Sequence, residues 1–567
     1  MFIAGIIKYA ERTRSLYLAS TDIVFEEHAL KGDPTHLRVR EDDDEEERSP
    51  DASSSAINFS EESLQDHDSA LVIYARNYFE IFRGFKCNFI GLSEEQFKET
   101  TCHLLMRNSE RAIEMLSIEL NWLYQILYTK AVVVRSKWGY ILRFISFSAI
   151  VIALLVFTVS DKKKHGDFDN VNVVITYILL GGAIFLDTIS FVMLIPSDWT
   201  FSELYVKRYR LGRCPGVISF IHRNYLELRR PNWSSSSRIL KPFSLSSFSD
   251  WARKFVFRRW SESVSSYNFI EYCLRENSVW RSEHRITDPL TNIYVRIIDF
   301  FGVKDLRDRM KYVSSQPLSK ELWDFLLKEV LDYVNNSAYF ANSGSNVPHG
   351  TGAYTLQSRG HHGNLITHVA KLQYEASLLV WHIATEICYN TVDDSDDLNI
   401  RNGTNADQER RREFGKVLSD YMLYLLIVQP EVVSSTPDIQ QERLKSTCET
   451  ANWFFTSNYL GPKSELKQAC RLLLEEYGKD FENAAAVEAG QAVNEVHHGS
   501  ALARMLEELK ENKWEAICAV WVELLAYGAY NSRPKSHARL LTGGGELIAY
   551  VWLAMAHFGI ARKTSEE

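Results

Sequence analysis

Four titratable side chains in this sequence have types and spacings that invite chemistry. His382 and Glu386 lie four residues apart in KLQYEASLLVWHIATEICY (371–389), and residues i and i+4 of a helix are neighbours on one face. A histidine beside a carboxylate can transfer protons or begin a zinc site. Two ligands are too few for zinc and HExxH is absent, so a polar contact on the helix surface is the plainer expectation. The second pair is Arg143 and Asp187, each the lone charge of a long apolar stretch. His537 and His557 are further acid–base candidates, but no spacing brings them to His382. Gly543–Gly545 lack the GKS/T ending of a phosphate loop and read as a turn before a helix, with Glu546 favourable in its first turn. GxSxG, the kinase motifs and Walker A are absent, and the eight cysteines form no CxxC pair, fitting reduced, buried thiols. The expectation is no catalytic residue, no cofactor and no metal site.

The elements that position these residues begin with two apolar runs. WGYILRFISFSAIVIALLVFTVS (138–160) and VNVVITYILLGGAIFLDTISFVMLIP (171–196) are each long enough to cross a bilayer core as a helix, which takes about 20 residues. The ten polar residues DKKKHGDFDN between them allow a tight reversal, so the pair reads as a transmembrane hairpin occupying 138–200. With the reversal centred between 165 and 166, position 187 lies level with 144, beside Arg143. A lone aspartate in hydrocarbon costs ~2.5–3.5 kcal/mol, so Asp187 is expected to approach Arg143 within the membrane. The alternatives are an Arg143 that reaches for the headgroups, with Asp187 on Ser146 or Ser148, or an ion relay.

Basic residues set the orientation. Between 203 and 260 thirteen Lys/Arg face only Glu203, Glu227 and Asp250, a cluster drawn to an anionic cytoplasmic leaflet. Both long ends are therefore expected in the cytosol, as a multi-pass membrane protein, with Trp138 and Trp199 at one interface. WARKFVFRRW (251–260) mixes basic and aromatic residues, a pattern that also suits single-stranded nucleic acid, but beside a span lipid adsorption is the better reading.

The rest of the chain divides by composition. Residues 1–30 read as an amphipathic segment that packs on later helices, because their charge follows the apolar start and no signal-peptide pattern appears. Residues 31–69 hold seven consecutive acids, Glu41 to Glu47, and a serine tract, the marks of a disordered linker. Residues 70–137 are a helical segment before the membrane, 201–334 a basic juxtamembrane and helical region, 335–366 a flexible loop rich in Asn, Ser and Gly, and 367–567 a carboxy-terminal helical domain. Within them, 232–250 is serine-rich, 255–274 reads as a loop leading into a helix, and 391–409 is a further polar break. VLSDYMLYLLIVQP (417–430) is a core helix stopped by Pro430. WEAICAVWVELLAYGAY (514–530) carries Trp514, Ile517, Trp521, Leu524 and Gly528 along one face, and the stretch after Glu546 reads as a buried helix.

The fold class is all-α: a two-span hairpin followed by a mostly helical cytosolic domain. A net charge of -9 argues against the basic excess of a dedicated nucleic-acid binder, and a mean hydropathy of -0.21 excludes a polytopic transporter with most of its mass in lipid. The segments WFFTSNYLGPKSELKQAC, WVELLAYGAYNSRPKSHARLLTGGGELIAYVWLAMAHFGI, LLVWHIATEICY and YMLYLLIVQP, with IIKYAERTRSLYLAS and RWSESVSSYNFIEYC nearer the start, resemble a plant family of uncharacterised membrane proteins. Its members join an N-terminal domain of unknown function, which bears the spans, to a second such domain at the carboxyl end. The resemblance implies a plant origin, a membrane location and no known activity, and further spans ahead of the KYAERT-like segment in relatives. It carries over no site residue. Together these readings favour a membrane-anchored interaction or scaffold protein whose partners are the bilayer, its anionic leaflet included, and other proteins, with no nucleic acid. A membrane-associated enzyme using His382, Glu386, His537 or His557, and a channel subunit using Asp187 and Arg143, are the alternatives.

Overall fold

A run of some twenty apolar residues can satisfy its own amide groups in place only as a helix, and both runs of this chain do so. The computed structural model describes residues 2–19, 71–72, 75–76, 109–128, 131–134, 137–163, 170–194, 198–200, 202, 260–275, 312–336, 349–361, 363–391, 406–434, 436–461, 464–477, 494–541 and 545–558. The acidic run at 41–47, the serine tract at 232–250 and most of WARKFVFRRW lie outside the described residues. The chain forms two units, one of Met1–Gly91, Glu110–Trp260 and Lys563–Glu567, the other of Leu92–Ser109 and Ser261–Arg562.

The first unit contains α1 (Phe2–Ala19), α2 (Ser109–Tyr128, from Glu110 on), α3 (Ala131–Val134), α4 (Lys137–Lys163) and α5 (Asn170–Leu194). Helix α4 meets α5 along Ile150 and Leu180, with Ala153, Leu154, Phe157, Ala183 and Ile184 packed around them. The ring of Phe157 meets that of Tyr177 edge-on at 5.2 Å. Elsewhere the two helices turn large apolar side chains outward; Phe144 and Ile178 are each 67% exposed. Trp138–Val159 and Val171–Ser190 are long and apolar enough to cross a membrane, by length and composition. Helix α1 packs along α4, as its amphipathic pattern leads one to expect. Helix α2 buries Ile113, Met115, Leu116 and Trp122. The ring of Trp199 lies 5.0 Å from that of Trp122.

The second unit opens with β1 (Ser263–Tyr267), α6 (Phe269–Arg275) and β2 (Val313–Pro317). The strands pair antiparallel with Ser265 opposite Ser315, so the unit is not all-α as the sequence reading had it. Serine competes poorly for helix because its hydroxyl bonds nearby backbone, and seven of the ten residues of SVSSY and VSSQP are serine or valine. The Ser266 and Ser314 hydroxyls bond across the ladder at 2.6 Å. Asn268 then caps α6, its side-chain oxygen accepting the Glu271 N–H at 2.9 Å.

Eleven helices follow among the described residues: α7 (Lys320–Asn336), α8 (Ala353–Ser358), α9 (Asn364–Ala370), α10 (Tyr374–Asn390), α11 (Ala406–Val428), α12 (Pro430–Val433), α13 (Pro437–Ser457), α14 (Leu466–Tyr477), α15 (Glu495–Glu507), α16 (Lys513–Asn531) and α17 (Pro534–Leu540), and α18 (Leu547–His557) closes the unit. Helices α10 and α16 are the centre. Every residue of α10 from Ala376 to Cys388 is buried, and α16 is buried from Ala516 to Ala526. The single apolar face read for 514–530 is therefore a helix enclosed all round. Helix α10 packs on α11, α14 and α15, while α16 packs on α11, α7 and α18. The Trp521 indole donates to the Thr385 hydroxyl at 3.0 Å and joins the two centres.

Part of the segment expected to be a flexible loop is fixed. Residues 349–361 hold α8, with Ala353, Thr355 and Leu356 buried. The cause is Glu523 on α16: its carboxylate accepts the N–H groups of Gly350 (2.8 Å), Gly352 (3.1 Å) and Thr355 (2.9 Å). Gly352 is required at this approach, since it has φ 87° and a Cβ there would stand 2.7 Å from Val520 Cγ1 and 3.0 Å from the Trp381 ring. The polar break at 391–409 is likewise shorter than its composition suggested, because α11 already starts at Ala406.

Candidate functional site: a sealed histidine, lysine and carboxylate cluster

Helix α10 sets His382 and Glu386 one turn apart, and α11 faces them with Lys416, Ser419 and Asp420. The expected surface pair is in fact interior: His382 is 0% and Glu386 1% exposed. The two do not bond each other. His382 Nδ1 lies 2.9 Å from the Ser419 hydroxyl and 3.9 Å from Asp420 Oδ1, while its Nε2 accepts the Phe269 N–H at 3.2 Å. Glu386 Oε2 lies 2.7 Å from Lys416 Nζ, and its Oε1 accepts from Asn390 Nδ2 at 2.8 Å. The Asn268 side chain, at the cap of α6, helps hold the Glu386 carboxyl below its usual value. Lys416 Nζ also sits 2.6 Å from both oxygens of Asp420. One ammonium thus lies between two carboxylates, and the Arg412 guanidinium covers the adjoining Tyr389 ring at 4.5 Å.

The electrostatics follow from burial and from that sharing. Burial drives His382 down to about 3, against the opposing charge of Glu386, so the ring is neutral. Burial presses the Glu386 carboxyl upward, yet Lys416 and then His382 outweigh it and hold Glu386 below its usual value. Lys416 would fall through burial, but Glu386 and Asp420 raise it above the ordinary lysine range. Asp420 is lifted by burial to about 7 against the pull of Lys416, and the nearby negative Glu386 adds to the rise.

The tautomer decides what this constellation can do. Because Nε2 accepts a backbone N–H, the neutral ring carries its proton on Nδ1, and Nδ1–H donates to Ser419 or Asp420. A serine nucleophile needs the reverse, a histidine that accepts the hydroxyl proton. His382 has no free nitrogen for that task. The cluster joins three elements, α6, α10 and α11, as a buried polar seam.

The other expected residues sit elsewhere. Asp187 in α5 is held by Lys8 of α1, whose Nζ lies 2.8 and 3.1 Å from its two carboxylate oxygens. Among the described residues no ion pair joins Asp187 to Arg143, so the anticipated partner is replaced by one from the amino-terminal helix. His537 is buried on α17, stacks on Trp552 with centroids 4.7 Å apart, and donates Nε2–H to the Ala529 carbonyl at 3.0 Å. Burial lowers it to about 4. His557 is buried in α18, and neither histidine bonds His382. Gly545 and Glu546 do form the turn before α18: Tyr421 donates its hydroxyl to the Gly545 carbonyl at 2.7 Å and accepts the Ile548 N–H at 2.8 Å. Among the described residues no three His, Cys, Asp or Glu side chains converge to hold a metal ion. Lys416, Ser419 and Asp420 escaped sequence reading. Their signal was a lysine and an aspartate at i and i+4 leading into the apolar run 421–428.

Two stretches of the chain match domains with no assigned activity. Residues 1–273 match the model of the Domain of unknown function (DUF4220), and residues 507–560 match that of the Protein of unknown function, DUF594. The chain is therefore similar to DUF4220 proteins over its amino-terminal 273 residues and to DUF594 proteins over residues 507–560. Asn268, Phe269 and Cys273 fall within the first match, Glu523 and His537 within the second, and His382, Glu386, Lys416 and Asp420 between them. Searches of curated proteins and of solved structures found no match.

Proposed function

We propose that the protein is a membrane-anchored helical interaction protein: α4 and α5 cross a bilayer as a hairpin, both long ends face the cytosol, and the second unit offers its surface to protein partners. The outward apolar surface of α4 and α5 carries this reading. Seventeen large hydrophobic side chains between Trp138 and Ile189 are more than a third exposed. At ~1 kcal/mol each, about half the value of full burial, leaving them in water costs about 17 kcal/mol. That exceeds the ~5–15 kcal/mol net stability of a typical domain, so lipid is the consistent surrounding. The thirteen basic residues of 203–260 support the cytosolic orientation and contact with an anionic leaflet. The neutral, fully engaged His382 supports an interaction role over an acid–base one, and the Lys8 partner of Asp187 removes the unpaired intramembrane carboxylate on which a conducting path would rely.

Alkaline carbonate washing of membranes from cells making the full chain tests the anchor. Retention in the pellet is expected, and release of intact chain into the supernatant refutes it. The sequons at Asn58, Asn232, Asn335 and Asn402 test orientation. All should stay unmodified in cells that glycosylate, and a glycan on any of them overturns the cytosolic assignment.

A further inference from the structure

Cys273 of α6 and Cys448 of α13 come together although 175 positions separate them, with sulfurs 3.0 Å apart and both thiols free. A disulfide has S–S near 2.05 Å, so an approach of about 1 Å forms the bond. The two sulfurs differ in surroundings. Cys273 is fully buried, whereas Cys448 is partly exposed. Cys448 Sγ receives the Cys273 S–H and, at 3.5 Å, the Asn452 amide, two donors converging on one sulfur. Those contacts, the one from Cys273 foremost, draw the Cys448 thiol below its usual value, while burial drives Cys273 up. A partly exposed thiol whose sulfur receives two donors, set beside a second thiol, is the arrangement in which oxidation runs to a disulfide. The remaining described cysteines differ: Cys388 and Cys518 donate to the carbonyls of Ala503 and Arg411, and Cys470 is fully buried.

We infer that Cys448 and Cys273 form a peroxide-sensitive dithiol, in which Cys448 is the sulfur attacked first and Cys273 the thiol that resolves it. The Cys448 thiolate attacks one oxygen of hydrogen peroxide. The O–O bond breaks, Cys448 becomes a sulfenic acid, and the departing hydroxide takes up the proton Cys448 released to give water. The Cys273 sulfur then attacks the Cys448 sulfur, the S–O bond breaks, and hydroxide leaves with the Cys273 proton as a second water. Two thiols and one peroxide become one disulfide and two waters. The link would tie α6 to α13 one turn from Phe269, whose N–H caps His382, and so bind the lid of the polar cluster to the surrounding helices. The chemistry stands whether or not α4 and α5 cross a membrane.

The test uses the reduced full-length protein and hydrogen peroxide in rising dose, followed by alkylation of free thiols in denaturant, digestion and mass spectrometry. A Cys273–Cys448 peptide pair, lighter by two hydrogens and separated again by dithiothreitol, should appear at doses below those that modify the other cysteines. In Cys273→Ser, dimedone should label Cys448, and in Cys448→Ser no link should form. The inference is overturned by Cys448 remaining alkylatable while other cysteines oxidise, by either residue pairing with a third cysteine, or by wild-type Cys448 passing to sulfinic acid without a link. The wild-type readout needs no substitution, so it holds even where a variant fails to fold.

Discussion

Replacing Asp420 with asparagine should change the response of the second unit to acid in the sense opposite to that of an ordinary salt-bridged carboxylate. Burial raises Asp420 from 3.8 to about 7 against the pull of Lys416. A carboxyl with a folded pKa above its unfolded value keeps its proton longer in the folded chain. Between the two values stability therefore falls as pH rises, by up to ~1.4 kcal/mol per pH unit. His382 does the reverse. Burial lowers it from 6.5 to about 3, so in that window the unfolded chain takes up a proton the folded chain refuses, and stability rises with pH. Where the windows overlap the two slopes oppose each other. Asp420→Asn removes the falling slope and leaves the rising one, so relative to wild type the variant should gain about 2 kcal/mol between about pH 4.5 and about pH 6. Contributions from Glu386 are common to both proteins and cancel to first order. Pulse proteolysis across a urea gradient at several pH values supplies the difference. Parallel profiles for wild type and Asp420→Asn would refute the reasoning. His382→Gln is the converse control: its stability relative to wild type should decline over the same interval.

Two further sets of substitutions probe the Lys8–Asp187 pair and the Glu523 clamp. Lys8→Ala should destabilise the first unit and Arg143→Ala should do less. In water a pair this exposed is worth ~0–1 kcal/mol, in hydrocarbon an unpaired aspartate costs ~2.5–3.5 kcal/mol, and the exchange Lys8→Asp with Asp187→Lys should restore heat resistance in detergent. Equal losses for Lys8→Ala and Arg143→Ala would discard the pairing. Glu523→Leu leaves the N–H groups of Gly350, Gly352 and Thr355 without their acceptor, at ~1–3 kcal/mol each. The urea midpoint should drop and protease cleavage within 349–361 should appear, with Glu523→Gln milder; a protected segment in Glu523→Leu would count against the clamp.

What was legible in the sequence was what one segment decides by itself. The helices over 138–160, 171–196 and 514–530 are set by local hydropathy, and their observed limits differ from the expected ones by a few residues. Pro430 stops α11, as a residue without an N–H must. The strand SVSSY was hidden because its partner begins 46 residues after it ends. The burial of His382 and Glu386 was hidden for a related reason: their amphipathic-looking positions belong to a helix enclosed on all sides. Lys8 could not be matched to Asp187 by depth within the hairpin, since it enters from a helix outside that hairpin.

That enclosure also explains why charged groups are tolerated at the centre. A helix buried from Ala376 to Cys388 has no polar stripe to tell it which side faces which neighbour. Apolar packing on α11, α14 and α15 would accept several rotations at similar energy, because dispersion and transfer depend on area more than on direction. Hydrogen bonds and ion pairs do depend on direction. Turning α10 by one residue, about 100°, would carry His382 away from Ser419 and the Phe269 N–H and strip Glu386 of Lys416. Each stranded buried group then loses ~1–3 kcal/mol or more. The desolvation of Glu386, Lys416 and Asp420 leaves little net stabilisation in the seam itself. Its effect is on the alternatives: it raises every wrong register of the central helix by several such increments while leaving the right one near balance.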